Sequence, residues 1–290
     1  MTVDERDPFP RRTATLARLA PWLVELGRTM PGLVRSYAPG GPLGSRTRER
    51  VILAVTDVNG CRYCAWIHGA WQDFLGDVAH ADAEEALVTY ARACAEAGRP
   101  LDPGPLADVL PPEAIASLRA TVAQIEVSNL VGNTVDGLLA RLTRKRPMAP
   151  ITAAAEMATV VMAAPVAAPL LATAGLMRLA TRLAPELPEV DTPPAGEANL
   201  LVHLIAQAAP TYLANAVVRL AVLRLPFTVS VGVRAGRTGA TVRVGRGRVA
   251  VVNGIAGDAV MVVEGDVEPL LQLASGSIVR ELRSIRIRPS

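Results

Sequence analysis

Apolar residues recur at helical intervals through most of the first 225 positions and switch to strict alternation afterwards. Between Thr13 and Tyr37, the residues Leu16, Leu19, Trp22, Leu23, Leu26, Met30 and Leu33 predict a helix interrupted near Pro31. The stretch from Pro39 to Gly44 predicts a loop, and Ser45 or Thr47 is placed to cap the next helix. The run Val51 to Val58 is β-branched enough for a strand. No βαβ pattern surrounds it, so a helix is expected there, broken by Asn59-Gly60. Another helix carries His68 and continues through Trp71 and Phe74, and His80 falls in a polar connection. Cys94 lies on an Ala-rich helix, Pro100 to Pro112 is a loop, and helices follow over about 113–129 and 131–142.

The segment Thr143-Arg-Lys-Arg-Pro-Met-Ala-Pro150 marks a boundary by its charges and prolines. From Met157 to Met177 there is no charge, a length that reaches across a bilayer, but Pro165 and Pro169 interrupt it. Buried or interface helices are the expectation, with peripheral contact to lipid left open. Pro185 to Gly196 is dense in proline and acidic residues and predicts a linker, after which Asn199 to Leu225 is helical again and carries His203. Period-two alternation then predicts strands at Phe227–Val233, Ala240–Gly245, Arg248–Asn253, Ala259–Glu264 and Ile285–Arg288, with a helix over Asp266–Ala274 stopped at Gly276. The expected class is α+β: a helical domain over 1–147, an apolar helical segment over 148–225 and a small α+β domain over 226–290.

Composition narrows the partners. Half of the residues are hydrophobic, and Lys and Arg total 30 against 27 Asp and Glu. With only ten Trp, Tyr and Phe and no basic stripe joined to stacking residues, nucleic acid is not an expected partner. The opening Met-Thr-Val-Asp-Glu-Arg-Asp lacks the basic-then-apolar order of an export signal, which makes a reducing cytoplasm the expected compartment.

The chemistry concentrates between Glu49 and His68. Cys61, Cys64 and His68 fall within roughly 60° of one another on a helix. Glu49 sits twelve residues before Cys61, beyond the Asn-Gly break, from where it folds back over the cysteines. Two thiols and a base on one face suit thiol redox chemistry. Cys61 lies in the first helical turn, where unpaired N–H groups favour a thiolate. His68 is placed to take or relay the Cys64 proton, and the cysteines to close into a disulfide. The four side chains are also acceptable zinc ligands, although three within eight helical residues rarely close a tetrahedron. Two buried small thiols beside a core histidine are the bland alternative. Cys94 has no paired cysteine nearby and reads as a small buried residue.

The spacing Glu-x11-Cys-x2-Cys-x3-His resembles the signature of AhpD-like alkylhydroperoxidases in the carboxymuconolactone decarboxylase superfamily. Ala86–Arg92, Pro112–Arg119 and Ile125–Asn133 extend the likeness over roughly residues 10–145. The resemblance implies an all-α, oligomeric domain without a bound metal or cofactor that reduces organic hydroperoxides or acts as a disulfide reductase. An external dithiol, from a lipoyl-bearing or thioredoxin-like protein, would restore it. It also implies that Cys64 meets the peroxide, Cys61 resolves it, and Glu49 and His68 relay protons, whereas the electrostatic argument makes Cys61 the more acidic thiol. The chain departs from some members at Tyr63, where they carry histidine. The C-terminal strands and the run Val267-Glu-Pro-Leu-Leu-Gln-Leu273 are similar to the end of a sterol-carrier-like lipid-binding domain. Two other functions are therefore weighed: a lipid carrier with a redox-sensing Cys pair, and decarboxylase or lactone chemistry. The second does not generally need two cysteines.

Overall fold

The structure is a computed structural model that describes residues 11–38, 41–76, 82–194, 196–265 and 286–289. His80, the expected helix over 266–274 and most of the N-terminal lead lie outside the described residues. The chain is a mixture of helices and one mixed sheet, in the α+β class. It forms two compact units, one of residues 1–72 and 79–176, the other of residues 73–78 and 177–290.

In the first unit, α1 (Leu16–Tyr37) is capped by the Thr15 hydroxyl, which accepts from the Arg18 N–H. It runs through Pro21 and Pro31 without the expected interruption. Each proline removes one backbone donor, and the packing of α1 along the later helix α6 outweighs that loss. Helix α2 (Ser45–Asn59) confirms helix over strand for Val51–Val58. It ends where expected: the Gly60 N–H still bonds the Thr56 carbonyl, but its left-handed φ of 65° turns the following chain out of the helix. Next come α3 (Arg62–Leu75), α4 (Asp82–Ala97) and the short α5 (Leu106–Val109).

Helix α6 (Pro112–Leu142) is one continuous helix, where the sequence predicted two. The Asn-Leu-Val-Gly-Asn stretch that signalled a break is instead turned inward. Asn129 accepts from the Thr56 hydroxyl at 3.3 Å, and the Asn133 amide donates to the Asn59 carbonyl at 2.9 Å. Tertiary hydrogen bonds thus engage Asn129 Oδ1 and Asn133 Nδ2, on side chains that would otherwise favour a turn. The core packs Trp22, Ile52, Val55, Leu118 and Ile125 around Cys61 and Cys64.

Helix α7 (Pro150–Leu183) departs most from expectation. It is a single 34-residue helix rather than several buried ones, and its most apolar 18 residues have a mean hydropathy of 1.9 with only 11% of the window buried. Pro165 and Pro169 lie inside it without ending it. The division between the units falls within α7, whereas the sequence suggested boundaries at 147 and 225.

In the second unit, the expected linker contains a two-residue strand, β1 (Val190–Asp191), parallel to β4. The meander β2 (Val229–Ala235), β3 (Thr238–Gly245) and β4 (Arg248–Asn253) is antiparallel. β5 (Met261–Gly265) runs parallel to β2 and pairs with β6 (Arg286–Pro289), giving the order β1-β4-β3-β2-β5-β6. Helices α8 (Leu200–Leu213) and α9 (Ala216–Leu223) start on Asn199 and Asn215, whose side chains accept the first-turn N–H groups. Leu201 and Val202 pack on Ala235, Ala240 and Val251, and Leu213 and Leu223 on Val249. Residues 200–223 therefore complete the core of the sheet.

Candidate functional site

The site is assembled from α2, which carries Glu49 and ends beside the cysteines, from the first half of α3 and from α6. Because Gly60 reverses the chain, Cys61 arrives at the cap position of α3, its carbonyl accepting the first helical bond from the Ala65 N–H. Its sulfur then occupies the place of a capping oxygen, accepting from the Cys64 N–H at 3.3 Å. The Cys61 and Cys64 sulfurs are hydrogen-bonded at 2.7 Å, and both thiols are free and buried. Cys61 is only 1% exposed and Cys64 7%.

This geometry pushes the two thiols in opposite directions. The Cys64 thiol, with the N–H groups of Cys64 and Tyr63, lowers the Cys61 pKa against the opposing effects of burial and of the Asp136 carboxylate. Sharing that hydrogen bond, and being buried, drives the Cys64 pKa up. The pair thus holds its first negative charge on Cys61. Burial also raises the Cys94 thiol, which is remote from the pair in sequence and packed in the core near Tyr90.

Glu49 and His68 meet. His68 Nδ1 is 2.7 Å from Glu49 Oε2, and the carboxylate is 2% exposed. A carboxylate acceptor fixes the proton on Nδ1 and leaves Nε2 as the basic nitrogen. The other carboxylate oxygen accepts from Arg48 Nε and Nη2, both at 3.3 Å. Arg48 in turn donates to the Ser36 carbonyl at 2.6 Å and lies 4.1 Å from the centre of the Tyr37 ring. Cys64 and His68 are one helical turn apart on α3, but no direct hydrogen bond joins His68 to either sulfur. The structure therefore shows two adjoining pairs, a dithiol and a carboxylate–imidazole, rather than one hydrogen-bonded chain.

Three contributors were not read from the sequence. Arg48 clamps Glu49. Asp136, on α6, faces Arg62 at 2.6 Å and also Arg11, and so places a carboxylate beside the start of α3. Gly132 packs against both thiols: a Cβ there would stand 2.5 Å from the Cys61 sulfur and 3.6 Å from that of Cys64. The Val-Gly-Asn run around Gly132 was visible, but nothing local ties it to a cysteine 71 positions earlier.

Among the described residues, no group of three or more His, Cys, Asp or Glu side chains is disposed to hold a metal ion. Two open clefts lie in this unit, one of about 640 Å³ lined by Glu25, Arg28, Arg99 and Arg119, the other of about 490 Å³ lined by Thr56, Ala65 and Arg92. None of the four site residues lines either one. Comparison with protein-family models, curated proteins and solved structures returns no match.

Proposed function

We propose that the chain is a thiol–disulfide oxidoreductase that cycles between the Cys61/Cys64 dithiol and its disulfide. More particularly, it is an AhpD-like hydroperoxidase, a cytoplasmic enzyme with an all-helical catalytic domain that works as a homo-oligomer. The observation that carries this reading is the hydrogen-bonded sulfur pair, with Cys61 capping α3, beside the Glu49–His68 pair.

Cys64 lies one turn from His68, the base of the site, so it is the cysteine that meets the hydroperoxide. Its proton passes to Cys61 or, by way of solvent, to His68 Nε2, with Glu49 holding the ring. The Cys64 thiolate attacks the outer peroxide oxygen, the O–O bond breaks, and the alkoxide leaves as alcohol after taking a proton. Cys64 is then a sulfenic acid. Cys61, whose thiolate the α3 N–H groups stabilise, attacks it and expels water. The net reaction converts two thiols and one hydroperoxide into a disulfide, an alcohol and water. An external dithiol, on a lipoyl-bearing or thioredoxin-like protein, restores the pair by exchange.

The test is a free-thiol count by mass spectrometry before and after one equivalent of an organic hydroperoxide. Loss of the Cys61 and Cys64 thiols, with Cys94 retained and recovery on adding a dithiol, is expected. Cys61→Ser should complete one turnover and stop as a Cys64 sulfenic acid, and Cys64→Ser should give no alcohol. Survival of both thiols in the parent protein would refute the proposal.

A further inference from the structure

We infer that the outer face of α7 docks on the surface of a lipid bilayer, with anionic headgroups held at its basic end. The inference is independent of the thiol chemistry. It begins with composition: between Met157 and Met177 the helix carries no charge, a stretch of about 31 Å at 1.5 Å per residue. A helix apolar on all sides needs apolar surroundings on all sides. The first unit covers only one stripe of it.

That stripe is fixed at two points. At one end Glu156, 5% exposed, accepts from Arg141 Nε at 3.0 Å and Arg146 Nη1 at 3.1 Å. Eighteen residues later Ala174, fully buried, packs on Ile67 and Ala70 of α3 with Trp71 beside it. Eighteen residues are five helical turns, so both anchors lie on the same side of α7. Both ends of the charge-free stretch are thus held by one compact unit. This excludes a bilayer crossing in this conformation and places the helix flat along that unit.

Outside that stripe the helix carries large apolar groups in solvent. Val161 is 63% exposed, Met162 74%, Val166 65% and Leu176 68%. Just before the helix, Leu142 and Met148 are exposed on either side of Arg144 and Lys145, both exposed too. An uncharged apolar face with the cations Arg144 and Lys145 beside its N-terminal end matches the layering of a bilayer surface, acyl chains next to headgroup phosphates. Charge complementarity of this kind favours lipid over a second copy of the chain, which would bring the same cations together.

The experiment is flotation of the full-length, reduced protein with phosphatidylcholine vesicles, with and without phosphatidylglycerol. The protein should float, more strongly with the anionic lipid, and an alkaline carbonate wash should release it. The Val161→Asp/Val166→Asp double variant should partition about tenfold or more weakly. Because both parent side chains are exposed, its urea unfolding curve should match that of the parent. Failure of the parent to float, or equal flotation of the variant, would overturn the inference. Retention through the carbonate wash would overturn the surface placement in favour of a span. A dimer that does not float, and that the double variant splits into monomers, would assign the face to a second copy instead.

Discussion

Gly132→Ala is the sharpest test of how the dithiol is held. Ordinary van der Waals contact between heavy atoms lies at about 3.5–4.0 Å. A Cβ on Gly132 would stand 2.5 Å from the Cys61 sulfur, an overlap of about 1 Å. The sulfur has little room to retreat, because Cys61 is 1% exposed and bound to the Cys64 N–H. Overpacking of this kind costs about 1–3 kcal/mol. Replacing glycine by alanine inside a helix returns about 0.5–1 kcal/mol. The net expectation is a loss of up to about 2.5 kcal/mol. Gly27→Ala on α1 is the matched control, since nothing lies within 4 Å of its Cβ position, and it should gain about 0.5–1 kcal/mol. Urea unfolding of both variants in reducing buffer measures the difference. A second readout separates crowding of the sulfur from a general packing fault. If Cys61 is pushed off the Cys64 N–H, its thiolate titration should shift upward in Gly132→Ala and stay fixed in Gly27→Ala. Equal stabilisation of both variants, with an unchanged Cys61 titration, would refute the account of Gly132 as the wall behind the thiols.

Burial raises the pKa of Glu126 to about 7, against the lowering effect of the Asn59 amide that donates to it at 3.0 Å. The unfolded chain, with the carboxyl near 4.5, binds fewer protons between those values, so stability should fall as pH rises from about 4.5 to about 7 and level off above. Glu126→Gln should abolish this loss and be more stable than the parent at pH 8 by about 2–3 kcal/mol, with no difference below pH 4.5; a difference independent of pH in urea unfolding would refute the assignment. Cys64→Ser keeps a hydroxyl beside Cys61 and Cys64→Ala does not. Thiolate absorbance should therefore titrate Cys61 at lower pH in the serine variant, and identical curves would deny the sulfur pair its role in Cys61 acidity. Glu156→Gln removes the buried carboxylate that Arg141 and Arg146 share and should cost about 3–5 kcal/mol. Limited proteolysis within 150–183 should rise with it, and an unaltered digest would show that this cluster does not anchor α7.

The common placement of Cys61, Cys64 and His68 was legible in the sequence because the geometry is local. Offsets of 0, 3 and 7 place Cys61, Cys64 and His68 on one face whatever the helix packs against, and Asn59-Gly60 carries its own stop signal. The alternating strands of the second unit were legible for the same reason. What could not be read depends on distant partners. Arg48 and Glu49 are neighbours about 100° apart on a helix, a relation that does not normally suggest pairing. They pair because Ser36 and Tyr37 of α1 hold the guanidinium in place. Asn129 and Asn133 look like a helix break until Thr56 and Asn59 are seen opposite them. Composition showed that α7 needs an apolar environment, but not that the first unit would cover only one side of it.

The electrostatics of Cys61 bear on the proposed cycle as a whole. A thiolate exists only in the reduced form, so every group that stabilises it favours the dithiol over the disulfide. Here those groups are the Cys64 thiol and the N–H groups that open α3. Each unit by which the Cys61 pKa falls raises the reduction potential of the pair by up to about 30 mV, since 1.4 kcal/mol corresponds to that voltage for two electrons. Cleaving an O–O bond is so favourable that this shift does not hinder oxidation by a hydroperoxide. It acts on the other half of the cycle, where an external dithiol must open the disulfide and its driving force is small. Asp136 works against the effect, and Arg62 and Arg11 offset its charge. In the proposed cycle the cap position of Cys61 would therefore contribute to both halves, supplying a thiolate to resolve the sulfenic acid and making the resulting disulfide easier to reduce.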